Sequence, residues 1–550
     1  MVGLELIVVT SPASPDVIFV GGTVRTVDDQ LPVAEALAVA GDRIVAVGSA
    51  AEVTALRGPT TEVVDLDGGC LLPGFVEAHS HPTQDQLMYA PSVVDIRPMS
   101  CATADEVNLR VKRALDRTPG DQPLVFNGLD TLLQPGFPEP TREWLDELGP
   151  TRPIIFWQNS GHVAWANGAA LRYARLPDDA PDPPGGHFER DEFGRLTGKA
   201  YEAPAILAIA ARLIFGGLRG PELLANQHEF LASRGITTTS EMAFSGQLRP
   251  LIRSLYDHDL ARARMRVYEM SSPAGRASCA LDNGDDMFKQ IGIKIWVDGS
   301  PWLGTIATSF PYLDTPATRA LGLAPGHRGR ANHDTDQLRE IVAAYYPQGW
   351  QMSCHVHGDE GVTMILDVYE EALRAHPRPD HRLRLEHCGA MTTEQYRRAA
   401  VMGVCCSLFV NQLYYWGDVL VDDLFGAEHG APWMRARSAV DAGMRISLHN
   451  DAPVTPEEPL RNISVAATRT TRSGRVLAPE ERITVAEALR AETVDAAYQL
   501  FCDDVLGTLT PGKYADLVVL EADPHAVDPA EIADLAVTAT YLAGRLVYER

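Results

Sequence analysis

Two histidines one residue apart, His79 and His81, close the apolar stretch Leu71-Leu72-Pro73-Gly74-Phe75-Val76-Glu77-Ala78. On a strand, positions two apart point to the same side, so both imidazoles can reach one metal ion from the strand's end. Alone the pair is weak, because His-x-His also arises on surfaces and in cores. The same chemistry recurs at the ends of other apolar runs: Cys354-His355-Val356-His357-Gly358-Asp359, Leu385-Glu386-His387, and Ile446-Ser447-Leu448-His449-Asn450-Asp451. A single lysine, Lys294, interrupts the apolar run 291–297. Each residue has a bland reading. The histidines could be satisfied core groups, Lys294 could snorkel to a surface, and Asp451 could cap the loop that follows it. Their shared placement at strand ends favours one metal site instead.

Something must bring those strand ends together. After the stretch from residue 71, further strands are expected at 236–242, 263–270, 291–297, 351–356, 382–386, 403–409 and 445–448. Helices are expected between them, including 336–346, 360–376, 393–402 and 433–442. Eight strands alternating with helices predict a (β/α)₈ TIM-like barrel spanning residues 71–504, whose functional groups gather at the C-terminal ends of the strands. Several of these strands are continuous apolar runs, as parallel strands buried on both faces should be. The span 83–234 is too long for a simple crossover and carries its own strand-like runs at 123–127 and 153–157. It is expected to be an insertion after barrel strand 1, packed over one end of the barrel. The Pro/Gly-rich stretch 181–186 within it reads as a loop. Short strands near both termini, at 17–20, 43–47, 515–520 and 537–547, predict one small β-sandwich domain built from residues 1–70 and 505–550, with a hairpin turn at Gly544-Arg545.

Composition narrows the partners. The 550 residues are 45% hydrophobic and 22% charged, as in a globular protein, and 48 basic against 73 acidic side chains give a net charge of −25. That balance argues against nucleic acid or an anionic membrane and suits a small-molecule substrate. The eight cysteines are scattered, with no Cys-x-x-Cys, and read as buried free thiols of a reducing compartment. With no apolar run of membrane-spanning length, a cytoplasmic location is expected.

These motifs together resemble the amidohydrolase superfamily, and within it the amidohydrolase-3 group of YtcJ-like proteins and N-substituted formamide deformylases. The resemblance rests on 72–81, on Ile293-Lys294-Ile295-Trp296-Val297-Asp298-Gly299-Ser300-Pro301, on 355–359, on Arg384-Leu385-Glu386-His387, on His449-Asn450-Asp451-Ala452-Pro453 and on 509–520, so it covers nearly the whole chain. It implies a divalent metal site, zinc by analogy, with one or two ions per chain held by His79, His81, His355, His387 and Asp451. In the motif around 355–359 it places the ligand at His355, not His357. It also implies that Lys294 is carbamylated and bridges two metals, because a free ammonium would repel them. The chemistry implied is attack of a metal-activated hydroxide on a C–N bond of amide type, with Asp451 relaying the proton to the leaving nitrogen. His162, in Ser160-Gly161-His162-Val163, resembles a family segment that approaches the site and is a candidate substrate or oxyanion contact. Trp302, Gln412 and Trp416 are candidate pocket residues. Three departures stand where substrate is read: Glu241 in place of the usual aspartate, Gln412 where many relatives have histidine, and Trp302 where polar residues are common. A mononuclear deaminase, an ester or lactone hydrolase, and a catalytically silent metal-stabilised protein remain alternatives. A homodimer is expected by analogy.

Overall fold

The computed structural model describes residues 7–8, 14–183, 186–215, 221–272 and 274–550. Eight parallel strands follow one another in a single sheet: β1 Phe75–Glu77, β2 Ile236–Phe244, β3 Arg264–Met270, β4 Phe288–Trp296, β5 Gln351–Val356, β6 Arg384–His387, β7 Cys405–Leu408 and β8 Ile446–Leu448. Each pairs with its neighbour in sequence, as the (β/α)₈ reading requires. Helices Arg249–Asp257, Thr335–Tyr345, Asp359–Ala375, Thr393–Met402 and Ala436–Asp441 alternate with the strands. Two of them begin with reciprocal caps, at Asp334 with Gln337 and at Thr392 with Gln395, which satisfy amides that have no partner in the first turn. The seam between β8 and β1 is closed just beyond the strands. There the Asp451 amide donates to the His79 carbonyl at 3.3 Å and Asn450 Nδ2 donates to Glu77 Oε2 at 2.7 Å.

One expected strand divides in two. The run from Leu71 does not enter the barrel whole: Cys70–Pro73 pairs antiparallel with Leu517–Leu520 in another sheet, and only Phe75–Glu77 is β1. Gly74 is the break. Its amide donates to the Asp516 carbonyl, and a Cβ there would lie 2.2 Å from Thr237 Oγ1, so only glycine lets the chain pass so close to β2. Hydrophobicity is continuous across the switch, which is why the sequence pattern reads as one strand.

The terminal segments form two sheets. In one, Cys70–Pro73 lies between Leu517–Leu520 and Thr23–Arg25, so strands from both ends share a ladder, and Val537–Leu542 and Arg545–Glu549 extend it as a hairpin. The other holds Ile7–Val8, Val17–Val20, Ala36–Ala40, Arg43–Gly48 and Glu62–Asp65. Their facing sides share one core that includes Phe19, Leu37, Val47, Leu71, Leu517 and Tyr541, which is the expected sandwich.

Residues 83–227 together with 452–455 make a second compact unit. It has a six-stranded mixed sheet in the order Val93–Asp95, Leu124–Leu129, Ile154–Gln158, Val163–Ala166, Leu196–Tyr201 and His187–Arg190. One face of that sheet packs on Ile206, Ile209, Ala210 and Leu213 of helix Glu202–Phe215, and the other on Val107, Val111 and Leu145. Of the loop expected at 181–186, residues 184 and 185 lie outside the described residues.

Candidate metal centre

The ends of β1, β4, β5, β6 and β8 bring the chemistry-bearing side chains together. His79 and His81 follow β1 with ring centroids 5.5 Å apart, both buried. His79 Nδ1 lies 2.7 Å from Glu386 Oε2 on β6. Burial opposes ionisation of Glu386, but the Arg384 guanidinium, 2.9 Å away, and His79 outweigh it and hold its carboxyl well below the usual range. An ionised carboxylate only accepts, so His79 carries its proton on Nδ1 and presents the Nε2 lone pair inward.

That Nε2 faces Asp451. The Asp451 Oδ1 atom stands 3.3 Å from His79 Nε2 and 3.2 Å from His81 Nε2, and among the described residues it takes part in no hydrogen bond of ordinary geometry. Burial alone would push the Asp451 carboxyl up, yet the surrounding histidines draw it well below its usual range, so it is ionised at neutral pH. His81 responds in the opposite sense. Burial disfavours its charge, but Asp451 and Glu241, the latter 3.4 Å from Nδ1, push it up to about 9. Glu241, singled out as a departure from the family pattern, is therefore a direct neighbour of His81.

Lys294 on β4 is fully buried with Nζ 3.4 Å from His79 Nε2. Burial lowers its ammonium to about 8. His355 Nε2 donates its hydrogen to the Gly299 carbonyl, 2.8 Å away, and its ring lies 4.4 Å from that of His387. The expected set of His79, His81, Lys294, His355, His387 and Asp451 is thus contiguous.

Two further imidazoles belong to the cluster. His449 Nε2 is 3.0 Å from His387 Nδ1, and its other nitrogen meets Ser407 Oγ at 2.8 Å. His357 stacks on His387 with centroids 4.7 Å apart. Three groups have donor atoms mutually within 4.8 Å: His79, His81 and Asp451; His79, His387 and His449; and His355, His357 and His387. Strand alternation was the available signal, since His449 is two residues before Asp451 and His357 two after His355. The resemblance had drawn attention to His355 alone.

This donor set fits a divalent cation. Among the described residues, buried His387 Nε2, His357 Nδ1 and Asp451 Oδ1 have no hydrogen-bond partner, and burial holds His79, His355, His357, His387 and His449 below the ordinary imidazole range, neutral and ready to ligate. His387 and Asp451 also adopt left-handed backbone, at φ 72° and 55°, a cost that clusters at functional sites.

The remaining candidates have the following partners. Trp302 and Trp416 stack at 4.8 Å between centroids, Trp416 wholly buried. Gln412 accepts the Trp433 Nε1 hydrogen at 2.9 Å. His162 belongs to the unit of residues 83–227, where its Nδ1 meets Glu202 Oε2 at 2.9 Å.

Comparison with known proteins follows the same lines. Residues 62–548 match the model of the amidohydrolase family. The chain is 29% identical to an N-substituted formamide deformylase of Arthrobacter pascens, across 97% of this chain and 98% of that protein. It is 25% identical to the YtcJ protein of Bacillus subtilis, across 96% and 99% respectively. In fold it is similar to a metal-dependent hydrolase of uncharacterised activity from Pyrococcus horikoshii, with a TM-score of 0.71 over 93% of this chain and 99% of that one, at 21% identity.

Proposed function

The chain belongs to the amidohydrolase family, and on that premise we propose that it hydrolyses a C–N bond of amide type in a small N-substituted molecule, releasing a carboxylate and an amine. One observation carries this reading: an ionised Asp451 oxygen, without a hydrogen bond among the described residues, between two imidazole Nε2 atoms, one of them on the histidine that faces Lys294. His79, His81, His355, His387 and Asp451 would hold the divalent ion, zinc being the natural choice for nitrogen-rich donors. Such an ion, when bound, acidifies water and polarises the scissile carbonyl.

The chain's own groups do the rest. Glu386 fixes the tautomer of His79 by holding the proton on Nδ1. Asp451, ionised, takes the proton of the attacking water on its carboxylate and returns it to the leaving nitrogen. Lys294 Nζ, its basicity reduced by burial, has a neutral fraction that can add to CO₂, losing a proton as the N–C bond forms. The resulting carbamate replaces a buried cation by an anionic two-oxygen ligand, as a two-metal site needs. The similarity to a formamide deformylase makes N-formyl amines the first compounds to try, followed by N-acyl amines and carbamates. A small-molecule substrate agrees with the charge of −25. The test is a panel of those compounds scored for amine and for ammonia. Amine with stoichiometric carboxylate supports the reading; ammonia alone moves the enzyme to the deaminases.

A further inference from the structure

We propose that the unit formed by residues 83–227 and 452–455 contains a binding site of its own, for a small uncharged group that carries an N–H donor. The site is a partly open cavity of about 40 Å³. Its apolar wall includes Leu87, Val93, Val125, Trp157 and Ile214, and its polar atoms come from neutral amides, Asn159 among them. Among the described residues, no acidic or basic side chain lines it. That composition selects against ions: a charge placed there would lose its water and meet no partner among the described residues.

Asn159 gives the cavity its direction. It is 93% buried, with a relative exposure of 7%. Its Nδ2 donates to the Val454 carbonyl at 3.3 Å, which assigns the other terminal atom as oxygen. That Oδ1 accepts no hydrogen bond among the described residues. An unpaired buried acceptor is costly, so the arrangement makes sense where a ligand donor completes it. Its neighbours are already committed. The Trp157 Nε1 hydrogen goes to the Gly161 carbonyl and the Asn127 amide to Met88 Sδ, so neither competes for Asn159.

Size and chemistry then define the occupant. A cavity that takes up benzene measures about 150 Å³, and one water needs about 10–15 Å³. The space here admits a few heavy atoms and excludes a ring. A carboxamide fits: its N–H meets Asn159 Oδ1 and its methyl or methylene packs on Val93 and Val125.

The test is titration calorimetry of the full-length, metal-loaded protein with three probes of one shape: acetamide, acetone and acetate. Acetamide should bind saturably, with acetone and acetate at least about tenfold weaker, which is the cost of losing one hydrogen bond or burying one charge. Asn159→Leu should weaken acetamide by a similar factor. Val93→Phe, which fills the cavity from a half-buried position and leaves Asn159 intact, should abolish binding, and it decides the matter if Asn159→Leu does not fold. Equal binding of acetate, an unchanged acetamide affinity in Val93→Phe, or no saturable acetamide binding overturns the proposal. None of these readings depends on turnover or on metal content, so they stand apart from the hydrolase assignment.

Discussion

Replacing Glu386 by glutamine removes one charge and almost no volume from the wall behind His79. In the native site Arg384 Nε and Glu386 Oε1 are 2.9 Å apart with both side chains fully buried, and the other carboxylate oxygen receives the His79 Nδ1 hydrogen. Two separable losses follow. The first is stability: the Arg384 guanidinium, still bonded to Tyr268 Oη and the Ala78 carbonyl, is left as an uncompensated buried cation, at a cost of about 3–5 kcal/mol. The second is metal affinity. Loss of an orienting carboxylate behind a ligand histidine typically weakens binding by about 10–100-fold, or roughly 1.4–2.8 kcal/mol. Restoring neutrality with Arg384→Met in the Glu386→Gln background should recover much of the stability and none of the affinity. Zinc affinity measured by competition with a chromophoric chelator, alongside calorimetric unfolding, separates the two terms. A folded Glu386→Gln protein that binds zinc within about threefold of the native one would refute the role given to Glu386, since even the lower bound of the effect is tenfold.

Other consequences can be checked on the same protein. Asp451→Asn removes the proton acceptor while keeping an oxygen near both imidazoles, so hydrolysis should fall by about 10²–10⁴-fold with folding intact, measured as kcat on the best amide of the panel. Gly74→Ala should destabilise by more than about 3 kcal/mol, because the new methyl meets Thr237 at 2.2 Å; equal unfolding midpoints in urea would contradict the close-approach argument. Arg25 bonds Asp523, tying the two terminal segments together. Burial raises the Asp523 carboxyl, but the Arg25 bonds outweigh it and lower it below its ordinary value. A carboxyl lowered in the folded state stabilises above its unfolded pKa of about 3.9, and that stability is lost as pH falls through the folded value. Arg25→Met should therefore reduce stability at pH 7 and leave it nearly unchanged near pH 2, read from urea midpoints at both pH values.

Much of the site could be read from residue types at strand ends. His79, His81, Lys294, His355, His387 and Asp451 all sit where parallel strands of a barrel must deliver them, because strand identity follows from local apolar runs and barrel geometry does the assembling. What escaped depends on contacts between distant segments. The break at Gly74 is set by Thr237 and by the Asp516 carbonyl, neither of which leaves a mark on the local pattern. The inclusion of His357 and His449 was open to the period-two rule, yet a linear motif has only one slot for each ligand. The stacking of Trp302 on Trp416 and the bond from Trp433 to Gln412 join residues far apart in the chain, so neither leaves a mark on the linear pattern. The mixed sheet of residues 83–227 was visible only as two of its six strands, because short strands with partly exposed faces, such as His187–Arg190, lack a continuous apolar signature.

The most direct test of a metal-dependent hydrolase with a lysine-bridged centre is metal content per chain, measured by plasma mass spectrometry on protein purified without added metal. Close to two zinc equivalents are expected, falling to one or fewer in Lys294→Ala. A folded protein that carries no metal, and takes up none on reconstitution, would contradict the mechanism outright.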